Sequence, residues 1–409
     1  MKKIAILVDL ELSKNAGGHV KFWEKICHSV RDRDQKFDIT IFFLGKQYSK
    51  KVIGKHITFY TLKPLISSRL LKPLGIDADA TDLFPFSIKL LLMLRKYDLL
   101  HTTDQLFSMA TTAKYASKIW KIPLTTSFHT DTPSYTEYYV KRLFEKLPKF
   151  LRNFFLHKLK LHKKISEKQR IKMINYLNIC SKGMINDHLN SKTYKFSSTL
   201  RKKIYKFERG VDKSIFNKKK VDKVKFFKKY GISENEKIIF FCGRVHELKG
   251  VFLVSEIQKI LQEEFRLVSF FAGQDIHGDK CIDIGGNKIK IIGYKDQNEI
   301  SKFYNICDLF VFPSKYETGP QVVLEAKSCG AIPIVSPSGG GRRVYKNGID
   351  GIIVDEYDAH KWAIEIRELF GNKKRSEFMK KKILDEFKPL SWKEVFDKYF
   401  IKEWREILK

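Results

Sequence analysis

The stretch Tyr316-Glu317-Thr318-Gly319-Pro320-Gln321-Val322-Val323-Leu324-Glu325-Ala326 holds two carboxylates eight positions apart, joined by a turn that runs into an apolar helix. Pro320 suits a helix start, because it has no N–H to leave unpaired and its φ is preset. Gly330 and Pro333 mark the end, which predicts a helix over 320–329. The start of such a helix offers backbone N–H groups and partial positive charge, a seat for a diphosphate. Glu317 stands just before that seat, and Glu325 lies roughly 8 Å further along the axis. The two acids can therefore reach hydroxyls on opposite sides of a bound diphosphate. A nucleotide-sugar carries such hydroxyls, the sugar's at one end and the ribose's at the other.

The charge to meet a diphosphate lies upstream. Gly243-Arg244-Val245-His246-Glu247-Leu248-Lys249-Gly250 follows an apolar run and opens a helical one. Arg244 can hold phosphate oxygens bidentately, and Lys249 adds a mobile point charge. Ligands of open α/β sheets bind outside the carboxyl ends of strands, where both would stand. Near the N-terminus, Asn15-Ala16-Gly17-Gly18-His19 follows a first apolar run; Gly17 and Gly18 permit close approach of backbone to a phosphate or sugar. This is not a G-x-G-x-x-G fingerprint. His129, in Ser127-Phe128-His129-Thr130-Asp131, follows another run and could bond a sugar hydroxyl or take a proton. His19, Asp131, Tyr135, Arg152 and Lys158 are candidates for acceptor or membrane contact. Asp77-Ala78-Asp79 is a literal D-x-D, but it has no clear preceding strand and reads as chance. No metal ligand set is expected.

These groups need elements to hold them. Strands are predicted at Ile4–Val8, Phe37–Leu44, 98–102 and Pro123–Phe128, with helices at 20–31 and 106–120 between them. A second alternating series is predicted from Lys237–Cys242 through the helix Val251–Leu261 and strands at 267–271, 289–292, Leu309–Phe312 and 332–336. Alternation of this kind gives parallel sheets covered on both faces. With 409 residues, two domains are expected. They are placed at 1–205 and 206–385, with an amphipathic helix in 386–409 that packs back on the first.

The net charge of +32, from 78 Lys+Arg and 46 Asp+Glu, implies an anionic partner or a Lys-rich composition bias. It is concentrated in 141–174, where 12 Lys/Arg face two Glu and Phe150, Leu151, Phe154, Phe155 and Leu159 recur at helical spacing. That segment either lies on an anionic membrane surface or packs in the core with a solvated Lys face. The six cysteines show no C-x-x-C or zinc spacing and read as buried residues of a reducing compartment. The apolar start is cut short by Asp9 and Glu11, so it reads as a strand rather than a signal peptide. The expected location is cytoplasmic, with peripheral membrane contact.

Together these motifs resemble the retaining glycosyltransferases of the GT-B fold, glycosyltransferase family 4 in particular. The resemblance is strongest over 237–355, in Gly243-Arg244…Lys249-Gly250, Asp308–Ser314, Glu317-x7-Glu325, Gly330–Pro333 and Gly348–Gly351. It extends to Gly17-Gly18, Asp98–His101, Phe128-His129 and Arg209–Asp212 with Phe216. It implies two doubly wound Rossmann-like α/β domains facing across a cleft, a nucleotide-sugar donor held mainly by the second, and no cofactor or metal. Arg244 and Lys249 would then neutralise the leaving diphosphate. Glu317 would contact the transferred sugar, Glu325 the ribose, and Gly18 the donor, while His129 lies near the sugar. Gly243, Gly319, Pro320 and Gln321 would complete the donor site. A lipid-linked or glycan acceptor is implied. Two departures stand out: Gly319-Pro320 replaces the family's Phe-Gly, and Arg343 replaces an acidic residue. A second class of reading is a non-catalytic binder of anionic polymer or nucleic acid, for which no recognised module appears. A third is a GT-B phosphorylase.

Overall fold

The computed structural model describes residues 1–13, 16–34, 36–74, 80–185, 196–315, 317, 319–338 and 340–409, with the side chains of Leu74 and Arg342 left aside. Asn15, Asp77, Asp79, Tyr316 and Thr318, all singled out above, lie outside the described residues. The chain divides into two compact units, Met1–Glu208 with Trp392–Lys409, and Arg209–Ser391.

Unit 1 is built on β1 (Lys2–Glu11), β2 (Phe37–Leu44), β3 (Ser49–Gly54), β4 (Ile57–Leu62), β5 (Leu99–Thr102), β6 (Leu124–Phe128), β7 (Lys182–Ile185) and β8 (Ile204–Lys206). They form one sheet in the order β3-β4-β2-β1-β5-β6-β7-β8. Ile4 of β1 pairs with Ile39 on one side and Leu99 on the other, both in parallel register. Ile4 to Val8 is wholly buried, as a strand covered on both faces requires. β3 is antiparallel to β4 and closes the edge with exposed Lys50 and Lys51, which discourages pairing with another chain. The helix Gly18–Ser29 buries Phe22 and Trp23. Trp392, Phe396, Phe400 and Trp404 recur every four residues along the terminal helical segment and are buried in the same unit. Phe400 lies 4.9 Å from Trp23, and Arg33 forks onto both oxygens of Asp397 at 2.6 and 2.8 Å.

One buried carboxyl in unit 1 makes stability depend on pH. Asp9, near the end of β1, accepts the Met109 N–H at 2.6 Å and the Thr81 hydroxyl at 3.3 Å. Burial, with Asp104 and Asp82 adding like charge, pushes it up to about 8 from its ordinary 3.8. The folded chain therefore keeps a proton that the unfolded chain releases near pH 4. The stabilisation from that proton is complete below about pH 4 and is lost as pH rises through about 8. An Asn at this position can accept from Met109 and donate to Thr81 without ionising. Asp9→Asn is expected to leave the melting temperature nearly unchanged at pH 5 and to raise it at pH 9, as read by thermal unfolding at the two pH values. A Tm difference independent of pH would count against the buried neutral carboxyl.

Unit 2 carries β9 (Lys237–Cys242), β10 (Leu267–Ala272), β11 (Ile289–Gly293), β12 (Leu309–Phe312), β13 (Ile332–Val335) and β14 (Ile352–Ile353). The order is β11-β10-β9-β12-β13-β14, with every pairing parallel. Phe240 on β9 stacks on Phe303 at 4.8 Å inside this core. Strand order reverses between β9 and β12. At such a point the loops leaving the two strands diverge to opposite faces and open a crevice at their carboxyl ends.

Candidate functional site

The crevice of unit 2 receives the loop after β9 and the loop after β12, the two that carry the charged motifs. The first continues into a short turn of 3₁₀ helix, Glu247–Lys249, capped by His246, whose Nδ1 accepts the Leu248 N–H at 3.1 Å. Gly250 then turns left-handed with φ +80°. A Cβ there would stand 2.7 Å from the ring and carbonyl oxygen of Pro313 and from the Tyr357 hydroxyl. Only glycine lets the β9 loop press against the β12 loop and set the direction of Lys249. Gly250→Ala is expected to cost about 1–3 kcal/mol, the usual penalty for a non-glycine residue in this conformation, read as a lower urea midpoint. An unchanged midpoint would refute the close approach.

The second loop is held from beneath by hydroxyls. Ser336 and Ser338 donate to the Ser314 carbonyl at 2.5 and 2.6 Å, and the Ser314 hydroxyl reaches Leu248 O at 3.1 Å and Glu317 Oε1 at 3.3 Å. Glu317 accepts directly from Lys249 Nζ, so these two sequence candidates meet as an ion pair. Pro320 has φ −64° and ψ 130° and serves as N-cap rather than first helical residue. The ring presets φ but leaves ψ extended, so the helix is Gln321–Ser328, shorter at both ends than 320–329. Gln321 donates to Gly210 O at 2.6 Å, and Glu325 is buried. The helix closes through Gly330 at φ +82°, with Ala331 N bonding to Ala326 O at 3.0 Å.

Three features were not read as site residues. Arg209 is only 9% exposed and sits in the field of Glu317, Glu325 and Arg343. Burial, then Arg343, pulls its guanidinium down to about 10, against the two glutamates. Even so it stays charged near neutral pH, a fixed cation in the field of the paired acids. Its motif, Arg209–Asp212, lies at the unit boundary, and nothing local distinguishes it from a linker arginine. Lys327, two residues past Glu325, is wholly buried; its Nζ donates to Asp350 Oδ2 and to the Arg343 carbonyl, each at 2.7 Å. A lysine in an apolar helix was the available signal. Finally, Arg343 lies over Gly319, where a Cβ would stand 2.7 Å from its Nη2. The two departures from the family pattern are therefore in contact.

Arg244 and Gly243 stand at the carboxyl end of β9, where Gly243 N bonds Ala272 O at 2.9 Å and the Arg244 carbonyl accepts from His246 at 2.8 Å. The structure thus brings Glu317, Lys249, Gly319, Pro320, Gln321 and Glu325 to one end of one sheet, with Gly243 and Arg244 leaving the neighbouring strand.

The remaining candidates belong to unit 1. Gly17 caps the Gly18–Ser29 helix. His19 and His129 stack with centroids 4.6 Å apart, and His129 is 3% exposed, packed edge-on by Phe22 and Phe207. His129 Nε2 meets Ser127 Oγ at 2.8 Å, and that hydroxyl meets His101 Nε2 at 2.9 Å. Burial pushes His101 down to about 3, which leaves it neutral at one end of the chain. His19 Nε2 meets Thr103 Oγ1 at 2.6 Å. Asp131 accepts the Ser134 hydroxyl at 2.5 Å, and Tyr135 is half-buried one turn into the same helix. Arg152 and Lys158 flank the exposed Phe154, with Lys158 Nζ 5.9 Å from its ring. Among the described residues, no helix is long and apolar enough to cross a membrane.

Residues 222–384, within unit 2, match the family model described as Glycosyl transferases group 1. An uncharacterized glycosyltransferase of Methanocaldococcus jannaschii is 31% identical over 151 residues, 35% of this chain and 39% of that protein. A D-inositol 3-phosphate glycosyltransferase of Catenulispora acidiphila is 26% identical over 204 residues, 46% of this chain and 48% of that one. The match thus spans less than half the length of these relatives. Among solved structures, Anabaena HepE in complex with UDP superposes with TM-score 0.68 at 15% identity, over 100% of both chains. Sucrose-phosphate synthase from Thermosynechococcus elongatus gives 0.70 at 13%, over 100% of this chain and 99% of its own. The fold is GT-B, with two Rossmann-like α/β units.

Proposed function

We propose that this chain is a retaining glycosyltransferase that moves a sugar from a UDP- or GDP-linked donor to a lipid-linked or polysaccharide acceptor. The observation that carries the reading is the Lys249–Glu317 pair beside buried Arg209, at the start of the Gln321–Ser328 helix and at the switch point of its sheet. A donor diphosphate entering there would meet Arg244, Lys249 and the helix N-terminus. Lys249 would exchange a carboxylate partner for a phosphate, releasing Glu317 to bond hydroxyls of the sugar. Glu325 would take the ribose. As the glycosidic bond breaks, charge grows on the leaving diphosphate, and fixed cations in a partly buried site stabilise that charge most. Such a site does this work without a divalent metal. Retention would follow from front-face attack, with a donor phosphate oxygen accepting the acceptor's proton and Glu317 positioning the sugar. The basic segment 141–174, with Phe150 and Phe154 exposed, would rest on an anionic membrane surface.

The test is a panel of UDP- and GDP-sugars with and without EDTA, scoring released nucleotide and the anomeric configuration of the product. Release of nucleoside diphosphate with an α-linked product from an α-linked donor, unaffected by EDTA, is the expected result. Phosphate-dependent cleavage without nucleotide would make the chain a phosphorylase. Salt-sensitive polymer binding without turnover would make it a binder.

A further inference from the structure

Unit 1 has an apolar groove that the donor chemistry leaves unused. It holds about 280 Å³, close to the lower end of small-molecule pockets at about 300 Å³. Its walls are Leu62, Leu65, Phe84, Phe86 and Leu90, and two cations, Lys63 and Lys89, stand among them. Lys89 Nζ is 3.4 Å from the centroid of the Tyr48 ring, which also lines the groove. The apolar surface continues outward through exposed Leu65 (57%), Ile88 and Leu92, the last two one turn apart on the helix Ile88–Leu94.

Charge and position narrow the occupant. Residues 46–96 contain ten Lys/Arg and three Asp. Of those acids only Asp82 lies among the described residues. It is buried and accepts the N–H groups of Leu65, Ile66 and Phe84, each at 3.0 Å. No described carboxylate of this stretch therefore competes for an anion at Lys63 and Lys89. The groove opens where β4 ends at Leu62, which pairs in parallel register with Leu44 of β2; Leu44 in turn pairs with Glu11 at the end of β1. It thus lies at the carboxyl edge of the sheet, the edge from which Gly17, Gly18 and His129 depart and along which ligands of parallel sheets bind.

We propose that this groove binds one hydrocarbon chain of a phosphorylated lipid, with the phosphate on Lys63 and Lys89. A peptide or sugar polymer would need more hydrogen-bonding groups than these mainly apolar walls, with Tyr48, Ser87 and the two lysines, offer, and a free phosphate would leave the walls wet. The proposal deepens the lipid-linked branch of the acceptor reading and rests on it.

The experiment is calorimetric titration of the full chain with inorganic phosphate, hexyl phosphate and octyl phosphate below their micelle concentrations, without donor. Each buried methylene strengthens binding about fourfold, so octyl phosphate should bind about fifteenfold tighter than hexyl phosphate. Inorganic phosphate should be weaker than both. Leu65→Asp, at an exposed position, and the pair Lys63→Glu with Lys89→Glu should each weaken octyl phosphate at least tenfold, with urea midpoints unchanged. Equal affinity for phosphate and octyl phosphate overturns the proposal, as does unchanged binding by both variants. Flotation with phosphatidylglycerol vesicles without alkyl phosphate binding would show a docking face instead. Dimer loss in Ile88→Asp with unchanged octyl phosphate affinity would show a self-association face, and also overturns it. Octyl phosphate binding by a chain inert to every donor keeps the groove and removes the transferase reading.

Discussion

Lys249→Ala is expected to lower kcat with the preferred nucleotide-sugar by about 10²–10³-fold, the usual loss when one preorganised group facing developing charge is removed. The KM for donor should rise much less, because in the proposed reaction the contact would strengthen as the diphosphate departs. The ion pair makes the prediction sharper. In this structure Lys249 already holds Glu317, so its removal also frees a carboxylate facing the diphosphate seat. Glu317→Gln keeps the shape and removes that charge, and by itself it is expected to cost more than tenfold. Since the two residues act as a unit, the double variant Lys249→Ala with Glu317→Gln should lose less than the product of the single losses. Steady-state kinetics of the three variants decide it. A Lys249→Ala enzyme within tenfold of wild type would remove the leaving-group role from this lysine.

Lys327→Ala should destabilise the chain by about 3–5 kcal/mol, since removing one partner of a buried pair strands the other charge. Lys327 is 0% exposed, and its ammonium joins the Gln321–Ser328 helix to Asp350 and to the backbone of Arg343. Burial pulls its pKa down, and Asp350 pulls it back up. Asp350 in turn accepts the N–H groups of Lys346 at 2.9 Å and Tyr345 at 3.2 Å. The lysine is therefore a strut between the helix of Glu325 and the loop of Arg343. Guanidinium unfolding should show a lower midpoint for Lys327→Ala, and Lys327→Met with Asp350→Asn should recover part of the loss. A Lys327→Ala midpoint equal to wild type would show that water reaches the pair.

The legibility of this chain followed how far each residue's environment is local. Phe37–Leu44, Lys237–Cys242 and Leu309–Phe312 have the bounds expected of them because strands covered on both faces are dominated by apolar residues. β3 escapes the sequence reading: Ser49-Lys50-Lys51 is polar because it forms an exposed edge, and an edge strand sheds the very pattern that reveals strands. Glu317 and Lys249 were legible as motif residues, while their ion pair was not, since it joins loops 68 residues apart. Arg209 escaped for the same reason. Its meaning lies in Glu317, Glu325 and Arg343, all more than a hundred residues onward, and no local pattern separates a buried arginine from a solvated one. The groove of unit 1 escaped because its walls come from separate pieces, Leu62 at the end of β4, Leu65, Phe84 and Phe86 beyond it, and Leu90 on the helix Ile88–Leu94, that only folding brings together.

The contact of Gly319 with Arg343 has a consequence for anyone exchanging the proposed donor site with that of a known glycosyltransferase. The space above residue 319 is occupied by a guanidinium from a loop 24 positions later. A bulky side chain placed at 319 alone would make the Arg343 guanidinium swing aside. An acidic residue restored at 343 alone would vacate that space and put negative charge beside the diphosphate seat and Glu317. Neither single exchange is a step toward the other arrangement. The two positions form one unit of exchange, and a transplant of donor preference has to carry both loops in the same move.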